Sequence, residues 1–322
     1  MMRIAVIGLG NHALRSTLPA LVKCQQLELV GCYSRDSDKT KDIAQQYQIN
    51  HWLEEDAVYA DDSVDIIYIA TPVGLHFGQI KKALEHNKHV FCEKSLVTSL
   101  AQAKQLCQLA KDNGLLLAEC FMYLHHAQYA QLSALCADKV IGDVKSITAR
   151  FGFPHIDSDN IRYNAVLGGG ALLDAGVYPL SLIHSMAAGE LTRFTGHIQS
   201  ADGYEVDTDG AAFALMKNGV TAHAQWGMGR DYSNDIHIWG SQGQITVERA
   251  FAKPSTLKTT IKVIRNGKTE NFAVAEDDHF VAMFTAFEQA IGNTEQELKH
   301  TEQILMIASM VNQLRFNINN DE

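Results

Sequence analysis

Gly8-Leu9-Gly10-Asn11-His12-Ala13 has the spacing G-x-G-x-x-G/A, directly after a short apolar run and directly before a helical stretch. In that setting the first glycine permits a tight turn and the second lets backbone approach a pyrophosphate. The small third residue allows close helix–strand packing. A helix N-terminus offers unpaired N–H groups to phosphate oxygens, so Gly8, Gly10, Asn11 and His12 are read as cofactor contacts. The next apolar run, Leu29-Val30-Gly31-Cys32-Tyr33, ends in Ser34-Arg35. An acidic residue at that strand end accepts from the ribose 2′-OH of NAD and repels the extra phosphate of NADP, and neither Tyr33 nor Ser34 is acidic. Ser34 and Arg35 are therefore read as contacts for NADP, Arg35 as the partner of the 2′-phosphate. NAD is the alternative, with Asp36 on the ribose.

Three further segments resemble the glucose–fructose oxidoreductase, inositol dehydrogenase and rhizopine-catabolism (Gfo/Idh/MocA) family. Ala70-Thr71-Pro72 followed by His76 matches its A-T-P-x-x-x-H, and Glu93-Lys94-Ser95 matches its E-K-P. Gly168-Gly169-Gly170 through Asp174, Gly176 and Tyr178 matches its G-G-G-x-x-x-D-x-G-x-H/Y. The resemblance implies that Thr71, Pro72, His76, Glu93 and Lys94 line the cofactor, with His76 either touching it or filling space beneath it. It also implies that Glu119 and Tyr123 line the substrate cleft and that Arg162, in Asn160-Ile161-Arg162-Tyr163, lies over the substrate or in solvent. Two positions depart from the commonest pattern. Ser95 replaces a proline that usually follows a cis bond, which leaves the path to Lys94 open. Tyr178 replaces the commoner histidine, as in the branches that resemble dimeric dihydrodiol dehydrogenase and the sugar 3-ketoreductases, which mostly use NADP.

The chemistry follows from the residue types. Moving a hydride between nicotinamide and a carbinol carbon requires a proton to move on the oxygen, from a group of tunable pKa within hydrogen-bond reach. Lys94 follows the apolar run His89-Val90-Phe91-Cys92, at the strand end where Rossmann ligands bind. Its ammonium would polarise a carbonyl and lower the pKa of a nearby phenol. Tyr178 would then be the proton donor in reduction, with Asp174 four residues earlier orienting it or another group on the same helix face. Gly176 is read as leaving space for the substrate. The implied reaction is NADP(H)-dependent oxidation or reduction of a sugar, nucleotide-ketosugar or polyol. A trans-dihydrodiol or D-xylose dehydrogenase is the enzyme alternative, and a non-catalytic NAD(P) sensor is the alternative of another class.

These residues must be positioned by elements that the periodicity supplies. Over the first 120 or so residues, runs at 3–8, 27–34, 64–70, 89–92 and 115–118 alternate with helical stretches, which predicts a doubly wound parallel α/β sheet. After residue 121 the pattern changes. A helix over 127–137, a strand over 144–153 and a helix over 171–186 lead into long alternating runs from 191 to 274, joined by turns at Lys217-Asn218-Gly219, Ser241-Gln242-Gly243 and Arg265-Asn266-Gly267. This predicts antiparallel sheet with some inserted helix, closed by helices over 278–291 and 298–316, and the family resemblance implies that it forms an α+β domain on a large, open, mostly antiparallel sheet. The domains expected are 1–121, binding NAD(P), and 122–322, binding substrate and mediating assembly. In the family this sheet face commonly forms the dimer interface, so a homodimer or homotetramer is expected.

Composition sets outer limits. With 37 acidic and 27 basic residues the formal charge is −10, which repels phosphate backbones and argues against nucleic acid as a partner. No apolar run of about 18 residues or more occurs. Six cysteines without a Cys-x-x-Cys pair read as buried thiols, and the adjacent His125 and His126 diverge on a helix, so no metal site is expected. A cytoplasmic location is expected. Arg35→Ala should weaken NADPH binding by an order of magnitude or more, since a charge-assisted phosphate contact is worth roughly 1.5–3 kcal/mol, and barely change NADH binding. Titration of both cofactors checks this, and equal losses would show that Arg35 does not read the 2′-phosphate.

Overall fold

The structure, a computed structural model, describes residues 1–186 and 191–318. The chain divides into two compact units, one of Met1–Cys120 with Phe280–Leu305, the other of Phe121–His279 with the chain from Met306 onward.

The first unit holds a six-stranded parallel sheet in the order β3-β2-β1-β4-β5-β6. Its strands are β1 Met2–Ile7, β2 Leu27–Tyr33, β3 Asn50–His51, β4 Ile66–Ile69, β5 His89–Glu93 and β6 Leu117–Cys120. Strands buried on both faces carry no alternation, and Ile66, Ile67, Tyr68 and Ile69 are all fully buried. The crossovers are α1 Leu18–Lys23, entered through a π-helical turn at Ala13–Thr17, then α2 Ser37–Tyr47, α3 Glu55–Ala60, α4 Val73–Glu85 and α5 Leu100–Asp112. The short β3 and α3 have no counterpart in the sequence reading. Their segment is too brief to show a period, and it is held by side chains instead: the Trp52 indole donates to Asp61 at 3.1 Å and the Tyr59 phenol to Glu55 at 2.8 Å.

The second unit is built on an eight-stranded sheet in the order β14-β13-β12-β11-β7-β10-β9-β8, antiparallel except where β10 runs parallel to β7. Helix α6 Ala127–Ala137 precedes β7 Val144–Phe153, and α7 Val177–Met186 follows the glycine run. The remaining strands are β8 Leu191–Gln199, β9 Asp209–Met216, β10 Thr221–Met228, β11 Ser233–Gly240, β12 Gly243–Glu248, β13 Thr259–Arg265 and β14 Lys268–Val274. Alternate residues face α7: Ile147, Ala149 and Phe151 of β7 and Ala222, Ala224 and Trp226 of β10 are buried. The opposite face carries Arg150, His223, Gln225 and His237, with Trp239 69% exposed. The fold class is the one expected.

Two expectations are corrected. Residues 122–322 do not form one domain, because α8 His279–Ala290 and the start of α9 Thr294–Ile318 return to the first unit. Phe284 packs edge-on to Tyr68 and Phe287 to Phe91, at ring distances of 5.4 and 4.9 Å. Nor does a helix lie within 191–274. Residues 249–258 are irregular, and the Asn234 side chain meets the backbone needs that a helix would otherwise meet. It accepts from Phe251 N at 2.7 Å and donates to Ala252 O at 2.8 Å.

Candidate active site

In the first unit the strand order reverses between β1 and β4, the switch point at which open α/β sheets bind ligands. Gly8 turns the chain there at φ +100°. A Cβ on it would lie 2.7 Å from the Ala70 carbonyl carbon, so no other residue lets β1 and β4 end so close together. Gly10 is the opposite case: it is exposed and nothing lies within 4 Å of where its Cβ would be. Asn11 and His12, also exposed, begin the helix. This open backbone at a helix start suits a pyrophosphate.

At the end of β2 the Ser34 hydroxyl lies 2.8 Å from Thr40 Oγ1 and donates to Asp36 O at 3.1 Å. Asp36 caps α2, its carboxylate accepting from Lys39 N at 3.0 Å. The carboxylate that could have read the ribose is thus spent on the helix start, while Arg35 is exposed.

Glu93, Lys94 and Ser95 leave the end of β5, and the Lys94–Ser95 peptide is cis. The Glu93 carboxylate accepts from the Tyr68 phenol and pairs with His12 Nε2 at 3.0 Å. Thr17 Oγ1 donates to that phenol at 3.3 Å. Burial raises the Glu93 carboxyl, but the His12 charge and the bonds from His12 and Tyr68 outweigh it, holding the group below its ordinary range. Lys94 is half-buried.

His76 and Glu119 are both buried. His76 is fully buried, with Nδ1 2.9 Å from Ser95 O and Nε2 2.8 Å from Thr71 O, so both ring nitrogens are spent on backbone carbonyls. Glu119 is 3% exposed and accepts from Leu96 N at 2.8 Å. Burial pushes its carboxyl up to about 7, against that bond and the Lys94 charge. Pro72 caps α4, and the Thr71 hydroxyl donates to Gln79 Oε1 at 2.5 Å.

In the second unit Tyr178 opens α7 and is 5% exposed. Phe151, Phe251 and Phe121 ring it at 5.1, 5.7 and 6.0 Å, and its hydroxyl donates to Met122 Sδ at 3.6 Å. Tyr123, fully buried, lies 2.8 Å through its hydroxyl from Ser181 Oγ. Asp174 pairs with Arg162 Nε at 2.5 Å, so the acid expected to orient a helix neighbour reaches the arginine of the preceding loop. Gly176 leaves no room for a substrate: a Cβ on it would meet the Trp226 indole at 2.8 Å.

Asp207 was not singled out from the sequence. It accepts from Leu172 N at 2.6 Å and its carbonyl from Ala171 N at 2.8 Å, holding the turn that starts the Tyr178 helix. Burial pushes its carboxyl up to about 6. Gly170, at φ +115°, gives it passage. Nothing in Val206-Asp207-Thr208-Asp209 marks which aspartate turns inward.

A parallel sheet in this order, with a glycine turn at its switch point and a lysine at the neighbouring strand end, defines a dinucleotide-binding oxidoreductase of the Rossmann type. Residues 2–121 match the oxidoreductase family with an NAD-binding Rossmann fold, and residues 129–246 match the GFO/IDH/MocA C-terminal domain. The chain belongs to the Gfo/Idh/MocA oxidoreductase family. It is 34% identical to the dTDP-3,4-didehydro-2,6-dideoxy-alpha-D-glucose 3-reductase of Actinomadura kijaniata, over 97% of this chain and 94% of that one. The enzyme of the same name from Saccharopolyspora spinosa is also 34% identical, over 90% and 87%. Among solved structures, KijD10, a 3-ketoreductase from Actinomadura kijaniata in complex with NADP and TDP-benzene, superposes with a TM-score of 0.92 at 34% identity, covering 98% of this chain and 97% of that one.

Glu119 gives a testable pH dependence. Its folded-state pKa lies above the ordinary 4.5, at about 7, so the folded protein holds that proton more tightly than the unfolded chain does. The contribution to stability therefore falls as pH rises from about 4.5 to about 7 and then levels off, by roughly 3 kcal/mol in all. Glu119→Gln removes this slope and retains an oxygen acceptor. Denaturation of both proteins between pH 4 and 8, roughly the span of these values, should show the variant gaining relative stability toward high pH. Parallel curves would contradict the assignment.

Proposed function

We propose that this protein is an NADP(H)-dependent oxidoreductase that moves a hydride between the nicotinamide and the keto or carbinol carbon of a sugar, with nucleotide-linked ketosugars as the preferred class. The observation that carries the reading is Lys94 at the end of β5, on the same sheet edge as the open turn at Gly10. The substrate class is supported by the 3-ketoreductase relatives, and the cofactor by Arg35 beside an Asp36 committed to capping. A bound nicotinamide would supply the hydride. Gly8, Gly10, Asn11 and His12 would hold its pyrophosphate, and Ser34 and Arg35 its 2′-phosphate. The Lys94 ammonium would polarise the substrate carbonyl. Tyr178 would give its phenol proton to the oxygen of the reduced carbonyl, and the phenolate left behind would recover a proton from solvent.

The protein would work as a homodimer or tetramer through the α7-remote face of the large sheet, where exposed Trp239 and a hollow of about 300 Å³ lined by Arg150, His197, Gln225 and Arg230 offer an uncovered surface. Light scattering on wild type and Trp239→Asp should show an oligomer weakened by the charge, and a monomeric wild type at micromolar concentration would contradict this. Six unpaired thiols, five of them buried, suit the cytoplasm.

Tyr178→Phe removes one hydroxyl and should leave NADPH binding intact while turnover falls by about 10² to 10⁴. Lys94→Ala should cost at least as much, and the double variant little more, because the two groups serve one reaction. Steady-state rates on an accepted ketosugar check this. A Tyr178→Phe enzyme within about threefold of wild type means the proton comes from elsewhere.

A further inference from the structure

We propose that His76 and Glu119 are positioning residues for Lys94, which clamp the backbone on its C-terminal side so that the ammonium is presented in one place. The proposal rests on the role given to Lys94 above.

The β5 ladder ends at Glu93, so the peptide groups from Lys94 to Leu96 need other partners. Each is supplied by a different element. The Glu93 side chain is held by Tyr68 from β4 and His12 from the glycine turn. The Ser95 carbonyl meets His76 Nδ1 from α4 at 2.9 Å, and Leu96 N–H donates to Glu119 Oε1 from β6 at 2.8 Å. Ser95 and Leu96 are 3% and 2% exposed, whereas the Lys94 side chain between these anchors is half-buried. His76 also reaches the Thr71 carbonyl through Nε2 at 2.8 Å. One imidazole therefore ties the residue before Pro72 to the residue after Lys94 and makes two loops of the groove a single body.

Neither contact is what a space-filling role requires. A leucine would fill either position, and the interior charges a penalty for polar groups it does not use. Two carbonyl oxygens facing one ring are both satisfied only by a doubly protonated imidazole. Burial lowers the His76 pKa and opposes that form, while the Thr71 and Ser95 carbonyls and the Glu93 charge favour it. Glu119 spends a buried carboxylate on a single backbone N–H. A local requirement for fixed backbone beside Lys94 accounts for both.

The test reads Lys94 directly, apart from catalysis. The cofactor-free full chain is trace-acetylated with acetic anhydride, and Lys94 labelling is measured by peptide mass spectrometry against the exposed Lys145 and Lys299. In His76→Leu and Glu119→Leu the relative rate at Lys94 should change about fivefold or more, and turnover should fall about tenfold or more with NADPH affinity within about threefold of wild type. Glu119→Gln, which keeps the acceptor, should restore both to within about twofold. Unchanged Lys94 labelling in a folded leucine variant overturns the proposal, as does a change shared equally by all three lysines. Altered Lys94 labelling with normal turnover supports the clamp and instead refutes the catalytic role of Lys94. Should the leucine variants fail to fold by circular dichroism, His76→Gln decides, because its one amide nitrogen replaces only one of the two ring nitrogens that span the loops: wild-type labelling of Lys94 in that variant overturns the proposal.

Discussion

At the ends of β1 and β4 the two chains pass so closely that Gly8 has room for hydrogen alone. Its N–H donates to Tyr33 O at 2.9 Å, and Ala70 N–H donates to Ile7 O at 2.8 Å, so the turn is pinned from the strand on either side. In a parallel sheet all strands finish at the same edge. Fixing that one passage therefore fixes the relative heights of the glycine turn, the Ser34–Arg35 corner, the Thr71–Pro72 loop and Lys94. Their order along the edge follows from the strand order, and the reversal between β1 and β4 opens the crevice.

Two acidic side chains near enough to Lys94 to feel its charge are driven in opposite directions. Glu93 and Glu119 are both removed from water. Glu93 is met by a phenol and an imidazole and stays below the ordinary carboxylate range, while Glu119, met by one backbone N–H, is pushed up to about 7. Each also feels the Lys94 charge, and Glu93 raises Glu119 further. The difference lies first in the His12 charge beside Glu93 and then in its extra donor, since burial acts the same way on both. The same logic operates in the second unit, where Asp207 caps the turn leading to Tyr178 and its burial leaves it near 6.

Much of this was legible in the sequence. The parallel sheet, the glycine turn and the antiparallel strands follow from period and spacing, because burial on two faces or one leaves a direct imprint on which residues are apolar. What stayed hidden depends on partners far along the chain. The apolar face of α8 fits either core, and only its contacts with Tyr68 and Phe91 decide. Gly176 is small because Trp226, about fifty residues later, lies against it. His76 and Glu119 carry residue types suited to ligands, yet both are committed to backbone groups of residues 71, 95 and 96. No spacing rule announces a bond to a main-chain atom of another loop.

The account stands on hydride delivery to a sugar carbon, and isotope transfer tests that most directly. NADPH with both C4 hydrogens of the nicotinamide replaced by deuterium is incubated with the protein and a panel of nucleotide-linked ketosugars, and products are read by mass spectrometry and NMR. The account predicts one deuterium on the former carbonyl carbon of at least one member of the panel, with the label absent when Lys94 is replaced by alanine. Tight NADPH binding with no deuterium in any sugar, nucleotide-linked or free, would contradict it and leave a dinucleotide-binding protein without this chemistry.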